Sequence, residues 1–283
     1  GEILVLFDSD FVPEKDFLKR IVTPFIYDNG LSVVQARWKF IDKNKNLVSL
    51  LGATIGAVFH YICLPFINRR GISFLCGSAE AVRKKDLLEL GGWETGSLTE
   101  DIEFSLRLLK NGRKLIYLDQ LECAGEVPYK ARDLYKQQMR WAYGVIYSFR
   151  EHFKTLYTNK NLKVVDKVYI SFFCSGYMLS FLLIMLFSTG TLSFITDTPG
   201  AIDLVRFFSE MGRNVLFTSG IIFASIFAMI KSKNIKKVLA MVASSFSYGV
   251  IVTYYVNMGI FKVLFNRPMH WYMLSKNGNK LEA

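Results

Sequence analysis

The sequence predicts an α/β domain followed by transmembrane α-helices, and three features of the chain indicate this. The apolar run at residues 3–7 ends in two carboxylates, which is typical of a buried parallel strand whose end borders a ligand site. Most carboxylates lie before about Lys167, whereas long uncharged stretches alternate with short basic ones after it. Mean hydropathy is +0.25 although 21% of the residues are charged, so charged and apolar residues occupy different regions.

The composition limits the classes of function. The net charge of +11 in 283 residues indicates a nucleic acid, an acidic substrate or a membrane surface as partner. Because the chain has no helix-turn-helix or RNA-recognition pattern, we expect no nucleic acid and favour a phosphate-bearing substrate and anionic lipid. The four cysteines form no C-x-x-C pair and the three histidines are scattered. This argues against zinc and a disulfide framework, and for a reduced cytosolic environment of the first half.

Four uncharged stretches are long enough to be considered as membrane spans. They lie between Lys45 and Arg69, Lys167 and Asp197, Arg213 and Lys231, and Lys237 and Lys262. The second and the fourth are long and rich in large apolar residues, so we predict that both span the bilayer. The third is near the lower limit of length, and we expect a hairpin of spans around the polar loop 196–214.

The first stretch, residues 47–68, lies between two acidic motifs that must act on one substrate. A single crossing there would place the motifs on opposite sides of the bilayer, so we interpret it as a buried or interfacial helix. The lysines at 231, 233, 236 and 237 should be cytoplasmic. A third crossing would then place the equally basic tail outside. The sequence leaves open whether one stretch is re-entrant or the charge rule fails.

Asp8 and Asp10 follow the first predicted strand. If the extended backbone continues through them, both side chains point to one side and can share one ligand. Paired carboxylates of this kind hold Mg²⁺ or Mn²⁺, which in turn neutralises a diphosphate. The alternative is a turn with an Asx cap before a helix predicted at residues 14–22.

A second acidic motif, Thr99 to Asp101, precedes an amphipathic helix that should end at Asn111 and Gly112. Thr99 is a predicted N-cap, and acids in a first turn stabilise the helix dipole, which is the structural alternative for Glu100 and Asp101. The functional interpretation is that Asp101 is a general base that accepts the proton of a hydroxyl nucleophile. We expect the helix N-terminus to keep this carboxylate ionised.

After Pro128 the pattern predicts a polar, aromatic helix over residues 133–144. Gln137, Arg140 and Trp141 recur at helical spacing, so one face presents an amide, a guanidinium and an indole. Arg140 can bind a diphosphate through paired donors, and Trp141 offers a flat surface for a pyranose ring. The alternative is an interfacial helix whose Arg and aromatic side chains contact lipid headgroups.

Together these motifs resemble the family 2 glycosyltransferases of the cellulose synthase superfamily, with D-x-D, T-E-D and Q-x-x-R-W in that order and F-L-C-G-S at residues 74–78. Residues 34–38 (VQARW) and 90–93 (LGGW) are most similar to cellulose-synthase-like mannan and glucan synthases. The resemblance implies the C-terminal part of a GT-A type, Rossmann-like glycosyltransferase domain. We therefore expect a preceding portion with the first nucleotide-binding strands, without which sugar nucleotide should bind poorly.

The resemblance also implies a role for each motif residue. Asp8 would contact the nucleotide diphosphate and, with Asp10, coordinate Mg²⁺ or Mn²⁺, while Asp101 would be the catalytic base. Gln137 and Arg140 would hold the pyrophosphate of a UDP- or GDP-sugar. Contacts to a glycan acceptor would come from Trp141, Glu100, Cys76, Gly77 and Ser78. The reaction would invert the anomeric centre and extend a β-linked polysaccharide.

The expected layout is a cytoplasmic catalytic part at residues 1–150, an interfacial basic segment at 151–167, about three apolar membrane helices at 168–261 and a basic tail at 262–283. The tail segment from Arg267 to Trp271 resembles the segment after the last span of such enzymes, which favours a cytosolic tail. We expect an integral protein of the plasma membrane, or of the Golgi in a eukaryote, with a possible accessory subunit. The alternatives are single sugar addition to a lipid carrier, a truncated non-catalytic homologue and a transporter.

Overall fold

The computed structural model describes residues 1–160, 162–196 and 219–275, together with the isolated positions 205, 208, 209 and 212. The strands of the described chain are β1 (Ile3–Leu6), β2 (Val12–Pro13), β3 (Leu31–Ile41), β4 (Glu80–Arg83) and β5 (Lys114–Glu126). The helices that accompany them are α1 (Phe17–Tyr27), α2 (Leu47–Val58), α3 (Leu64–Asn68), α4 (Lys84–Glu89), α5 (Glu100–Lys110) and α6 (Ala131–Thr158).

The second half of the described chain is helical. Its helices are α7 (Val164–Cys174), α8 (Met178–Thr196), α9 (Gly220–Lys231), α10 (Val238–Ser244) and α11 (Val250–Leu264). Short π-helical segments, Phe59–Cys63 and Ser245–Gly249, join α2 to α3 and α10 to α11. This arrangement agrees with the predicted division into an α/β part and an apolar helical part.

The five strands form one mixed sheet in the order β1-β4-β3-β5-β2. β3 and β5 are parallel, whereas β1 pairs antiparallel with β4, with Leu4 opposite Val82. The strand predicted at residues 3–7 is therefore present. The prediction that it is a parallel strand is wrong, because its neighbour in the described sheet, β4, is antiparallel to it. The reason is that β4 returns from a long helical excursion and inserts between β3 and β1, a long-range pairing that an apolar run does not specify.

The sheet is buried on both faces, and the residue pattern of β3 explains why. Val33 packs into the core that contains Phe104 of α5, while Val34 and Ala36 pack into the core that contains Phe17 of α1. Successive side chains of a strand point to opposite faces, so a strand that is apolar at neighbouring positions needs cover on both. α5 and α1 supply that cover, which places the start of α5 next to the sheet.

The helical segment Leu47–Asn68 is long and apolar enough to cross a membrane. Its position argues against a crossing, because β3 before it and β4 after it pair side by side. A capping box starts it: the Asn46 side chain accepts from the Ser49 N–H, and the Ser49 hydroxyl accepts from the Asn46 N–H. Leu50 then packs against Met229 of α9. These contacts support the interpretation of a buried or interfacial helix.

Further candidate spans lie in the second half of the described chain. Ile235–Leu264 is long and apolar enough to cross a membrane, and α7 and α8 together form another candidate that is bent by 61°. α9 has 12 residues and is shorter than a membrane span. Most of the predicted polar loop 196–214, and the residues that join it to α9, lie outside the described residues. The hairpin around that loop therefore stays a prediction.

The C-terminal tail folds back onto α6. At the end of α11, Arg150 Nη1 donates to the Val263 carbonyl at 2.6 Å. Beyond α11, Asp133 accepts hydrogen bonds from the Tyr272 hydroxyl at 3.0 Å and from the Ser275 N–H at 3.2 Å. The tail as far as residue 275 therefore lies against the N-terminal half of α6, which supports a tail on the side of the α/β part. Lys276 and Lys280 lie outside the described residues.

Gly259 allows α11 to approach α6 closely. A Cβ added there would lie 2.6 Å from the Met139 carbonyl oxygen, which is a backbone atom of α6. We expect Gly259→Ala to destabilise the protein by about 1–3 kcal/mol, because α11 must shift away from α6 to accommodate the methyl group. The thermal unfolding midpoint of the protein purified in detergent measures this change.

Gly249→Ala is the matched control for this substitution. A Cβ at Gly249 would lie 3.8 Å from the Ser245 Cβ, which is an ordinary contact. Alanine at this helical position should be neutral, or stabilising by up to about 1 kcal/mol, because glycine loses more backbone entropy on folding. Equal destabilisation by both substitutions would contradict the close approach at Gly259.

Candidate active site

The start of α5 positions the second acidic motif. As predicted, α5 is amphipathic, buries Ile102 and Leu106, and ends at Asn111. The predicted cap is wrong, because Thr99 occupies the N-cap position but its hydroxyl makes no capping hydrogen bond. Its side chain is buried against α6 instead, where a Cβ at Gly144 would lie 2.4 Å from Thr99 Cγ2. Thr99 therefore sets how closely the start of α5 approaches α6.

Asp101 lies half-buried in the first turn of α5. Burial and the neighbouring Glu100 carboxylate raise the pKa of Asp101 to about 7, against the lowering effects of the Ile102 N–H and of Arg140. The helix N-terminus therefore keeps this group mainly ionised only above about pH 7, because the loss of water outweighs the N–H donors. A carboxyl whose pKa lies near neutrality is well matched to accepting a proton at physiological pH.

Arg140 of α6 lies close enough to three carboxylates for their charges to affect its pKa. Burial lowers the pKa of its guanidinium, and the charges of Asp101, Glu100 and Asp8 oppose that change. Its Nη1 donates to the Leu98 carbonyl at 2.9 Å, which ties α6 to the loop before α5. The acids of two separate sequence motifs and the arginine of a third are thus close enough to influence one another.

Asp8 and Asp10 lie where β1 ends, but they do not continue the extended strand. The Asp8 carbonyl accepts a hydrogen bond from the Phe11 N–H at 3.0 Å, so the chain turns at Ser9 and Asp10. The condition for the two side chains to point to one side, an extended backbone through both, is not met, and the alternative of a turn describes this backbone. Asp8 is exposed and Asp10 is half-buried. Among the described residues no group of three or more His, Cys, Asp or Glu side chains could hold a metal ion.

The loop at residues 76–78 lies against Asp101. Gly77 has a φ of +83°, a conformation that favours glycine, and a Cβ there would lie 3.5 Å from Asp101 Oδ2. The Ser78 hydroxyl accepts a hydrogen bond from the Asp8 N–H at 2.9 Å, and the Ser78 carbonyl accepts one from Trp38 Nε1 at 2.9 Å. The segment predicted to meet the acceptor therefore connects the end of β1 with the start of α5.

Two buried polar residues beneath this loop were missed by the sequence analysis. Glu80 Oε2 accepts hydrogen bonds from the Cys76 N–H at 3.1 Å and from the Gly77 N–H at 3.0 Å. Gln35 Oε1 accepts from the Cys76 N–H at 2.8 Å. Burial and then the charge of Asp101 raise the pKa of Glu80 to about 8. Gln35 stands in an apolar stretch of the sequence, which indicates a buried amide that needs hydrogen-bond partners. The sequence gives no such signal for Glu80, because its burial follows only from the insertion of β4 between β1 and β3.

Gln137, Arg140 and Trp141 are all half-buried on α6, at the spacing that places them on one face. The Trp141 ring lies 6.5 Å from the ring of Trp38, which itself donates to the loop at residues 76–78. The Arg140 guanidinium carbon lies 4.1 Å from the centre of the Trp271 ring in the tail. This face of α6 therefore looks onto both the loop beside Asp101 and the returning tail.

Known proteins share sequence with most of this chain. The family model described as glycosyl transferase family group 2 matches residues 3–272. Two proteins of Arabidopsis thaliana, glucomannan 4-beta-mannosyltransferase 2 and glucomannan 4-beta-mannosyltransferase 9, are 31% and 32% identical to it over 176 residues. Each match covers 61% of this chain and 33% of the relative, so the chain corresponds to about a third of the length of these curated relatives.

A solved structure has a similar fold over nearly the whole chain. It is the mannosyltransferase PcManGT from Pyrobaculum calidifontis in complex with GDP-Man and Mn²⁺, with a TM-score of 0.57 and 15% identity, covering 95% of this chain and 64% of that one. The likeness confirms the predicted GT-A type α/β fold. Because the family model matches more than half of the residues, the chain belongs to glycosyl transferase family group 2.

Proposed function

We propose that this protein transfers a sugar from a nucleotide-sugar donor to the end of a growing β-linked polysaccharide, with inversion of the anomeric centre. The observation that carries the proposal is the position of Asp101, which lies against Gly77 and is influenced by the charge of Arg140. Glycosyl transfer to a hydroxyl needs a base beside a site that accepts a negatively charged leaving group. The family and the names of the relatives support this class of reaction.

In the proposed reaction the Asp101 carboxylate removes the proton of an acceptor hydroxyl as the hydroxyl oxygen bonds to the anomeric carbon. The bond between that carbon and the diphosphate oxygen breaks, and its electron pair leaves with the nucleoside diphosphate. Attack from the face opposite the leaving group inverts the centre. Arg140 and Gln137 would hold the diphosphate, whose growing negative charge the guanidinium offsets.

Asp8 and Asp10 fit a divalent metal as a partial set of ligands. Mg²⁺ and related ions are commonly held by one or two carboxylates, with substrate phosphates and water as the remaining ligands. The Asp8 N–H is held by Ser78, so the backbone that presents these carboxylates is fixed at the edge of the site. When bound, Mg²⁺ or Mn²⁺ would neutralise charge on the leaving diphosphate.

The acceptor would lie between α6 and the loop at residues 76–78. Trp141 offers a ring face for the terminal sugar of a chain, and the hydroxyls of that sugar would meet Glu100, Cys76, Gly77 and Ser78. The mannosyltransferase names of the relatives and of PcManGT favour GDP-mannose as the donor. The apolar helices that follow α6 support a membrane location. The proposed place of the site is the cytoplasmic side of the plasma membrane or the Golgi.

Replacement of Asp101 tests the base directly. We expect Asp101→Asn to lower kcat by at least about 100-fold, because an amide does not accept the proton, while the donor still binds. Incorporation of labelled mannose from GDP-mannose measures transfer, and calorimetric titration measures donor affinity. Asp16→Asn, the same change at an exposed carboxylate that directly precedes α1, is the matched control. Normal turnover of Asp101→Asn would remove Asp101 from this role.

The acid limb of the pH profile should report the same group. A pKa raised to about 7 means that Asp101 is protonated below that pH and is available as a base above it. We therefore expect kcat/KM, which reflects the free enzyme, to fall about tenfold per pH unit as the pH drops below about 7. Glu100→Gln removes a charge that raises this pKa, so its acid limb should move to lower pH. A limb that does not move would contradict the coupling.

Glu80 should position the acceptor loop through its hydrogen bonds rather than through its charge. Glu80→Ala leaves the Gly77 N–H without its acceptor, which should cost about 1–3 kcal/mol of stability and raise the KM for the acceptor. Glu80→Gln keeps an oxygen that can accept from both backbone N–H groups, so its acceptor KM should stay close to that of the unmodified protein. Equal increases in KM for both variants would show that the charge of Glu80 matters instead.

A further inference from the structure

A cavity of about 190 Å³ lies outside the candidate active site, between the end of β3 and the loop that follows α9. Its polar lining includes the ammonium-bearing residues Lys39, Lys43, Lys231 and Lys233. The loop after α9 is held at this place by a hydrogen bond from the Asn234 amide to the Asn44 side chain at 3.2 Å. The two lysine-bearing segments of the lining are therefore far apart in sequence and are joined by this hydrogen bond.

The lining carries an excess of positive charge. Its carboxylate is that of Glu122, which is already engaged: Oε2 lies 3.4 Å from Lys39 Nζ, and Oε1 accepts from the Tyr61 hydroxyl at 3.2 Å. Several like charges around one small cavity repel one another, and an anion between them removes that repulsion. The arrangement thus favours a negatively charged ligand.

Lys43 is the clearest example of a positive charge in this lining that an anion could balance. It is half-buried, and its Nζ donates to the Ser232 carbonyl at 2.8 Å. No carboxylate of the described residues lies within ion-pair distance of it, and burial followed by the charge of Lys39 lowers the pKa of its ammonium. An ammonium has three donors, so Lys43 can bind an anion while it keeps its contact with Ser232.

The opposite wall of the cavity is apolar. Ala53 and Ala57 of α2 line it together with Met229 of α9. Both helices are apolar, and α9 ends in the lysine-bearing loop, as helices do where they leave a bilayer. A ligand that suits this cavity therefore combines a phosphate with an apolar part.

We propose that this lysine cavity binds a phosphate group, and that the phosphate belongs to the headgroup of an anionic membrane lipid. The lysines contact the phosphate, and the apolar wall adjoins the first carbons of the acyl chains. The bound lipid links the β3–α2 connection to α9 and so fastens the α/β part to the membrane region. The lipid source rests on the membrane location in the proposed function, whereas the phosphate site does not.

The test uses the intact protein purified in detergent and follows its thermal unfolding during titration with dioctanoyl phosphatidylglycerol. The lipid should raise the unfolding midpoint, and dioctanoyl phosphatidylcholine at equal concentration should not. In the double variant Lys43→Gln, Lys233→Gln the apparent affinity should fall by about 25-fold, about fivefold per lysine removed. The single variant Lys233→Gln replaces an exposed side chain and keeps the contact between Lys43 and Ser232, so it serves if the double variant does not fold. Its apparent affinity for the lipid should fall about fivefold.

Lys236→Gln, Lys237→Gln is the matched control, because it also removes two positive charges, from the segment that follows Lys233 but lies outside the cavity lining. Its affinity should stay close to that of the unmodified protein. An equal loss in this control, or equal stabilisation by phosphatidylcholine, would overturn the site. Stabilisation by inorganic phosphate that matches the lipid, with the same dependence on Lys43 and Lys233, would support the phosphate site and overturn the lipid source. Because no turnover is measured, failure of the glycosyltransferase proposal would leave these outcomes unchanged.

Discussion

The site depends on a carboxylate and a guanidinium that are held near each other where little water reaches them. The removal of water raises the pKa of Asp101 and lowers that of Arg140, and the attraction between the two groups opposes both shifts. Each group therefore offsets part of the cost of removing the other from water. The contact of Thr99 with Gly144 sets the separation of the two helices that carry them. The packing of Thr99 against Gly144 therefore influences how strongly the charge of Arg140 acts on Asp101.

The helical excursion between β3 and β4 determines what lies beneath the acceptor loop. Since β4 returns to pair with β3 and β1, it buries Glu80 in the middle of the sheet. The Glu80 carboxyl and the Gln35 amide then accept the backbone N–H groups of the loop at residues 76–78. Buried backbone donors need such partners, and here the partners fix a loop whose glycine touches the base. The same excursion supplies the apolar wall of the lysine cavity.

α6 connects the site to the apolar half of the chain. One face carries Arg140 and Trp141, while Leu134 and Ala142 pack into a core that includes Val256 of α11. A movement of α11 would therefore displace α6 and with it Arg140, the residue that we propose holds the diphosphate. The tail adds a second connection, since Trp271 lies over Arg140 and Tyr272 bonds to Asp133 at the start of the same helix.

The sequence by itself determined the α/β and apolar halves, the helix α5, the first half of α6 and the family, because helical periodicity and short motifs depend on residues close together in the chain. It did not determine that α6 continues to Thr158. It did not determine the antiparallel neighbour of β1, the turn at Asp10, the packing role of Thr99 or the burial of Glu80. It also did not determine the raised pKa of Asp101. Each of these depends on contacts between distant segments, and a pKa in particular depends on which groups and how much water surround a carboxyl. Only the tertiary structure decides that, because it alone brings α5, α6 and the loop at residues 76–78 together around one side chain.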